Sequence, residues 1–94
     1  MKVATAVRKL SKLFPHIHGI KDGAEWGKPG AIHLGDAAEG GTINDLPAAK
    51  YYDEFGLCKL GYEFGVHPDL VKALDECGFH AEWFDGGTLL GYEN

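Results

Sequence analysis

Residues 67–92, HPDLVKALDECGFHAEWFDGGTLLGY, carry a helical period that gives way to a strand period. Pro68 stands at the first helical position, where its missing N–H does no harm, and Asp69 meets the positive end of the helix dipole. Leu70, Val71, Leu74 and Cys77 fall on one stripe. Gly78 is placed to end the helix in a left-handed cap. From Phe79 the period shortens to two, with Phe79, Ala81 and Trp83 alternating with His80, Glu82 and Phe84. Asp85, Gly86 and Gly87 turn the chain into residues 88–92, so a β-hairpin follows the helix.

Upstream, residues 57–64 place Leu60, Tyr62 and Phe64 on one side and Lys59, Gly61 and Glu63 on the other, which predicts a strand. Before it, Asp45 as cap, Pro47 in the first turn and Gly56 as stop predict a short helix over residues 46–55. Tyr51 and Tyr52 cannot both face inward on that helix, so one reaches the surface. Residues 35–41 hold no large apolar side chain and predict a mobile surface loop. Between residues 16 and 34, Gly19, Gly23, Gly27 and Gly30 punctuate two short apolar pieces, 17–20 and 31–34, which read as strands. At the N-terminus Val3, Val7, Leu10 and Phe14 recur at helical spacing, widened by Ala6 and Leu13. They predict an amphipathic helix over residues 2–14 that Pro15 stops. Its stripe is expected to cover the core, with a membrane surface or a partner groove as the other uses of such a helix.

These elements assemble into one α+β domain over residues 1–94. Its expected form is a small antiparallel sheet with two or three helices on one face, ending in a helix plus β-hairpin. With 45% hydrophobic residues in 94, the chain has material for one core and not two. A chain of this size buries only about 60–65% of its unfolded surface, so a second copy as in a homodimer, or a ligand, would add support. No apolar run reaches the roughly 18 residues of a membrane span, and the N-terminus lacks a secretory h-region, so the expectation is a cytoplasmic protein. Cys58 and Cys77 form no C-x-x-C pair and read as two partly buried thiols there, although the sequence leaves a disulfide between them open.

The net charge of -5 is unevenly spread. Residues 1–21 hold Lys2, Arg8, Lys9, Lys12 and Lys21 and no acid, whereas residues 22–94 set four lysines against all fourteen acids, a balance of -10. Such a body repels nucleic acid and attracts a basic protein surface. Alternatively, the two parts neutralise each other.

Three histidines are the most enzyme-like feature. On a strand, His16 and His18 would point to one side and share a divalent metal, with His33 as a third ligand and Asp22, Glu25 or Asp36 as an oxygen donor. The text H-I-H-G looks like the opening of the amidohydrolases, which implies a (β/α)8 barrel of about 250 residues, too large for this chain. With Pro29, Gly30 and His33 the pair also resembles pieces of the two cupin motifs, but here proline and glycine are adjacent and no strands separate the pieces. There is no G-x-G-x-x-G, no phosphate-binding G-x-x-x-x-G-K and no nucleophile elbow, so nucleotide cofactors and α/β-hydrolase chemistry have no support.

The aromatic residues make the stronger case. Eleven of them exceed what a small core accommodates, and Trp and Tyr anchor protein interfaces. Trp26, Tyr51, Tyr52, Phe84 and Tyr92, interleaved with Glu82 and Asp85 and backed by Asp53, Glu54 and Glu93, describe an acidic surface with aromatic anchors. The plainer account puts Phe55, Phe64, Phe79 and Trp83 in the core with the rest half-exposed. Direct binding of nucleic acid is not expected, because stacking platforms of that kind lie in positive grooves.

The segment 65–92, with its GVHPDLV start, AEWFD centre and GTLL end, resembles uncharacterised small proteins encoded by bacteriophages and prophages. The resemblance carries no catalytic motif and implies a context, in which small acidic proteins block a host enzyme or defence complex by occupying its nucleic-acid-binding surface. The leading expectation is therefore a non-enzymatic protein that binds a protein partner through the acidic aromatic face, without cofactor. The alternatives are a small metal enzyme using His16, His18 and His33, and an accessory subunit that docks by its basic N-terminal helix.

Overall fold

The computed structural model describes residues 1–52 and 56–94. Its first helix, α1 (Val3–Leu13), buries Ala6 and Leu10 completely, and the Phe14 N–H closes the last turn on the Leu10 carbonyl at 2.9 Å. Pro15 follows, and Arg8, Lys9 and Lys12 remain exposed. The second helix, α2 (Pro68–Glu76), starts as its sequence dictates. The His67 ring accepts the Asp69 N–H at 3.0 Å as the N-cap, Pro68 takes the first position, and Leu70, Ala73, Leu74 and Cys77 go into the core.

Six strands follow in chain order: β1 (Ile20–Asp22), β2 (Ile32–Leu34), β3 (Thr42–Ile43), β4 (Leu46–Pro47), β5 (Phe79–Asp85) and β6 (Thr88–Glu93). Four of them form an antiparallel sheet in the order β1, β2, β6, β5, with β5 along one edge, and β3 and β4 make a separate small hairpin. The expected α+β architecture, ending in a helix and a β-hairpin, is what the chain adopts.

Register and side-chain alternation divide the sheet into two faces. Ile20, Ile32, Leu34, Phe79 and Leu89 join α1 and α2 in one core with Leu10, Leu70 and Leu74. Gly91, pairing with both Ile32 and Ala81, lets α2 lie close, since a Cβ there would stand 3.4 Å from Leu74 and 3.5 Å from Ile32. The opposite face carries Lys21, His33, Leu90, Tyr92, His80 and Glu82. No helix among the described residues is long and apolar enough to cross a membrane.

Two expectations for the middle of the chain are corrected. Residues 46–52 are not helical. Asn44 and Asp45 have positive φ of 52° and 65° and join β3 to β4, the geometry of a two-residue hairpin turn. The backbone beyond them is engaged at long range. The Pro47 carbonyl accepts the Tyr62 hydroxyl at 2.6 Å, Ala48 donates to the Gly41 carbonyl and Ala49 to the Ala37 carbonyl. The end of the expected helix, Asp53, Glu54 and Phe55, lies outside the described residues.

The expected strand over 57–64 is a 3-10 turn (Leu57–Leu60), then a tight reversal in which Glu63 pairs with Val66. Tyr62 is buried, whereas Phe64 has a positive φ of 50° and is 93% exposed. The loop over 35–41 is tied down. Its Ala37 is buried, and Asp36, Glu39 and Gly41 all donate backbone hydrogen bonds to the carbonyls of His18 or Asp36.

Candidate interaction surface

The sheet face opposite α1 and α2 carries its own aromatic cover. Residues Gly23–Trp26 form a 3-10 turn, begun by an Asp22 carboxylate that accepts the Ala24 N–H at 2.9 Å and ended by Gly27 in the left-handed region. This turn sends Trp26 over the sheet, where its ring meets His33 at 5.1 Å and Phe84 at 4.8 Å, both edge-on. His33 belongs to β2 and Phe84 to β5, so the indole spans β6, which lies between them. Beneath it Leu90 is completely buried although it stands outside the main core. Phe84 reaches this position because a bulge interrupts the register between Trp83 and Asp85. Lys28 caps the Phe84 ring at 5.4 Å from its centroid, and Phe84 remains 51% exposed.

Along the same face runs a polar row. His80 sits between Glu82, at 2.7 Å from its Nε2, and Asn94, at 2.8 Å from its Nδ1. Those hydrogen bonds, Glu82 first, raise the His80 pKa above its ordinary value. Tyr92 lies beside His80, with ring centroids 6.4 Å apart. At the hairpin tip the Asp85 carboxylate accepts the Gly87 N–H at 2.9 Å.

Tyr51 and Tyr52 stand elsewhere. They pack on each other at 5.1 Å, and Tyr51 packs on Trp83 at 5.3 Å, on the helix-bearing side of the hairpin. The Trp83 indole N–H donates to the Phe64 carbonyl at 2.7 Å, which holds Phe64 outward next to this group. The seven residues expected at one partner surface thus fall into two sets on opposite sides of one hairpin. Trp26, Glu82, Phe84, Asp85 and Tyr92 make one, and Tyr51 with Tyr52 the other. The plainer account of the aromatic residues puts Phe64 in the core; its exposure instead follows from the left-handed turn at 64–65, which sequence spacing does not encode.

The histidines occupy three settings. His16 and His18 precede β1, which begins at Ile20, so the same-side argument for a strand does not apply to them. His18 stands 3.2 Å from an Asp36 carboxylate oxygen, while its backbone N–H donates to the other oxygen at 2.7 Å. His33 lies under Trp26 and accepts the Gly35 N–H through Nδ1 at 3.0 Å, and its pKa is lowered by burial and by Lys21. His16 borders a cleft between the end of α1 and α2, near Asp69 and Glu76. Among the described residues no group of three or more His, Cys, Asp or Glu side chains is placed to hold a metal ion. Cys77 is buried in the core and Cys58 is exposed.

Comparison of the chain with protein-family models, with curated proteins and with solved structures gives no match.

Proposed function

We propose that this chain is a non-enzymatic binding protein that docks on a basic surface of a protein partner through the sheet face opposite α1 and α2. The observation that carries the reading is the Trp26–Phe84 pair, two large rings held edge-on above the sheet face opposite α1 and α2. Phe84 is half exposed beside Glu82 and Asp85. Aromatic anchors of this kind lose little conformational freedom on binding, and a rim of carboxylates steers a basic partner toward them. The balance of -10 over residues 22–94 extends that field to the whole body. In keeping with the resemblance of its C-terminal segment to phage proteins, the partner is a host nucleic-acid-binding or defence complex, inhibited by occupation of its basic surface.

The test is affinity capture from a bacterial lysate followed by titration of the purified partner at several salt concentrations. Phe84→Ala and the double reversal Glu82→Lys, Asp85→Lys should each weaken binding by about tenfold or more, and affinity should fall as salt rises. Binding that is indifferent to salt and to both variants sinks the reading.

A further inference from the structure

The sheet ends on β5, and the backbone of that edge is ready for a strand. The Asn94 N–H donates to the Gly78 carbonyl at 2.9 Å. Gly78 and Asn94 continue the register of β5 with β6, so the hydrogen-bonded pairs alternate from there. They fall on His80–Tyr92 and Glu82–Leu90, and the N–H and C=O groups of Phe79, Ala81 and Trp83 point away from β6. Beside this edge lies an open groove of about 470 Å³. Phe79, Ala81 and Trp83 form its floor, and Val71 and Pro68 of α2 with Phe64 border it. β5 itself carries neither proline nor lysine, two residues that blunt a free edge.

The order of side chains along β5 names the occupant. His80 and Glu82 flank Ala81, and one step further out stand Phe79 and Trp83. An antiparallel copy of the same strand centred on Ala81 sets His80 opposite the partner's Glu82 and Glu82 opposite the partner's His80. On the other face it brings Phe79 against the partner's Trp83, within reach of the groove. The smallest side chain lies on the two-fold axis, and the two His80–Glu82 pairs fall on the non-hydrogen-bonded positions beside it, where facing side chains come closest. Moving the axis to Glu82 would oppose two carboxylates, and moving it to His80 would oppose two imidazoles. The outward N–H and C=O of Ala81 also supply the reciprocal hydrogen bonds that a two-fold through that residue requires.

We infer that the chain forms a two-fold symmetric dimer through β5, paired antiparallel about Ala81, which joins the two four-stranded sheets into one. The contact is independent of the aromatic anchors Trp26 and Phe84, which remain on the open face of the joined sheet. A bulge after Trp83 limits the pairing to the first part of the strand, so the interface is small and the association concentration-dependent.

Native mass spectrometry and sedimentation over a series from roughly 10 µM to about 1 mM test it. The expected species has twice the 10.2 kDa chain mass. Ala81→Pro removes an outward N–H that the β5–β6 ladder does not use, so the chain should keep its circular dichroism spectrum and lose the dimer. Glu82→Lys should weaken association by about tenfold or more, whereas exchange of the two side chains in one chain (His80→Glu with Glu82→His) keeps both facing pairs and should leave association intact. If Ala81→Pro fails to fold, the charge variants decide alone, since both positions are exposed. A monomer across the whole series, or a dimer that persists in Ala81→Pro or Glu82→Lys, overturns the inference.

Discussion

Residues 67–94 and residues 41–66 are neighbours in the chain and are held by different forces. In the C-terminal segment, α2 lays Leu70, Ala73 and Leu74 on a hairpin whose inward residues Phe79 and Leu89 are almost fully buried. Helix and hairpin hydrogen bonds, with the regular pairing of β6 to β2, satisfy the backbone, and apolar burial does the rest. The middle segment contains little regular structure among its described residues. It is fastened by single long-range bonds from Tyr62 to the Pro47 carbonyl, from Lys50 to the Gly65 carbonyl and from His67 to the Ala48 carbonyl. One region should therefore respond to lost volume, the other to lost geometry.

The largest effect should come from the first. Leu74 is fully buried and lies over Gly91, in the same core cluster as Ile32. Leu74→Ala should cost about 3 kcal/mol, read as a fall in the denaturant midpoint at unchanged slope. A loss below about 1 kcal/mol would mean that the helix–sheet contact is not where the stability lies.

In the middle segment the sharpest probe removes no contact. Gly65 has a φ of +81°, and a Cβ there would run into the Lys50 carbonyl. Gly65→Ala combines left-handed strain with a collision against backbone, and should cost about 2 kcal/mol or more. Tyr62→Phe removes one hydroxyl from the half-closed site at Pro47 and should cost about 1 kcal/mol in the same assay. If the alanine variant were harmless, the crossing of residues 49–50 with 65–66 would not be a fastening at all.

The same contrast explains what could be read in advance. The stripe of Leu70, Leu74 and Cys77 and the alternation of Phe79, Ala81 and Trp83 are repeated signals, each residue confirming the next. Asn44, Asp45 and Pro47 are not. An aspartate ahead of a proline suits a helix start as well as a hairpin turn. Here the decision falls to partners such as Gly41 and Tyr62, which no local window contains. Of the candidate surface, Trp26, Phe84 and Glu82 were legible as aromatic and acidic residues with little core to enter. Which side of the hairpin each would occupy was not, because the bulge at Phe84 and the turn at Phe64 reset the alternation.

At the boundary of the two regions His67 allows a pH test. Burial lowers its pKa below the ordinary value of 6.5, against a smaller opposing effect of Asp69. Its neutral ring also accepts the Asp69 N–H that caps α2. The unfolded chain takes up a proton near 6.5 before the folded one does. The stability His67 supplies is thus full above that pH and drains as pH falls toward the lower folded value. His33 acts in the same direction, while His80, with its pKa raised, favours folding below 6.5 and loses that effect as pH rises. His67→Asn keeps a capping acceptor without a titrating ring. Its melting temperature should fall less than that of the unmodified chain between about pH 7.5 and about pH 5. Equal falls would remove His67 from the account.

The smallest effect has the opposite sign. Asp45 takes a φ of 65° at the second central position of the β3–β4 turn, where glycine is the preferred residue. Asp45→Gly relieves that left-handed cost but gives the unfolded chain more freedom to lose, so the net gain should be only about 0.5 kcal/mol. The sign is what matters, because an aspartate capping a helix at this position would make the same change neutral or destabilising. A rise in melting temperature supports the hairpin, and a fall returns residues 46–52 to the helix their sequence first suggests.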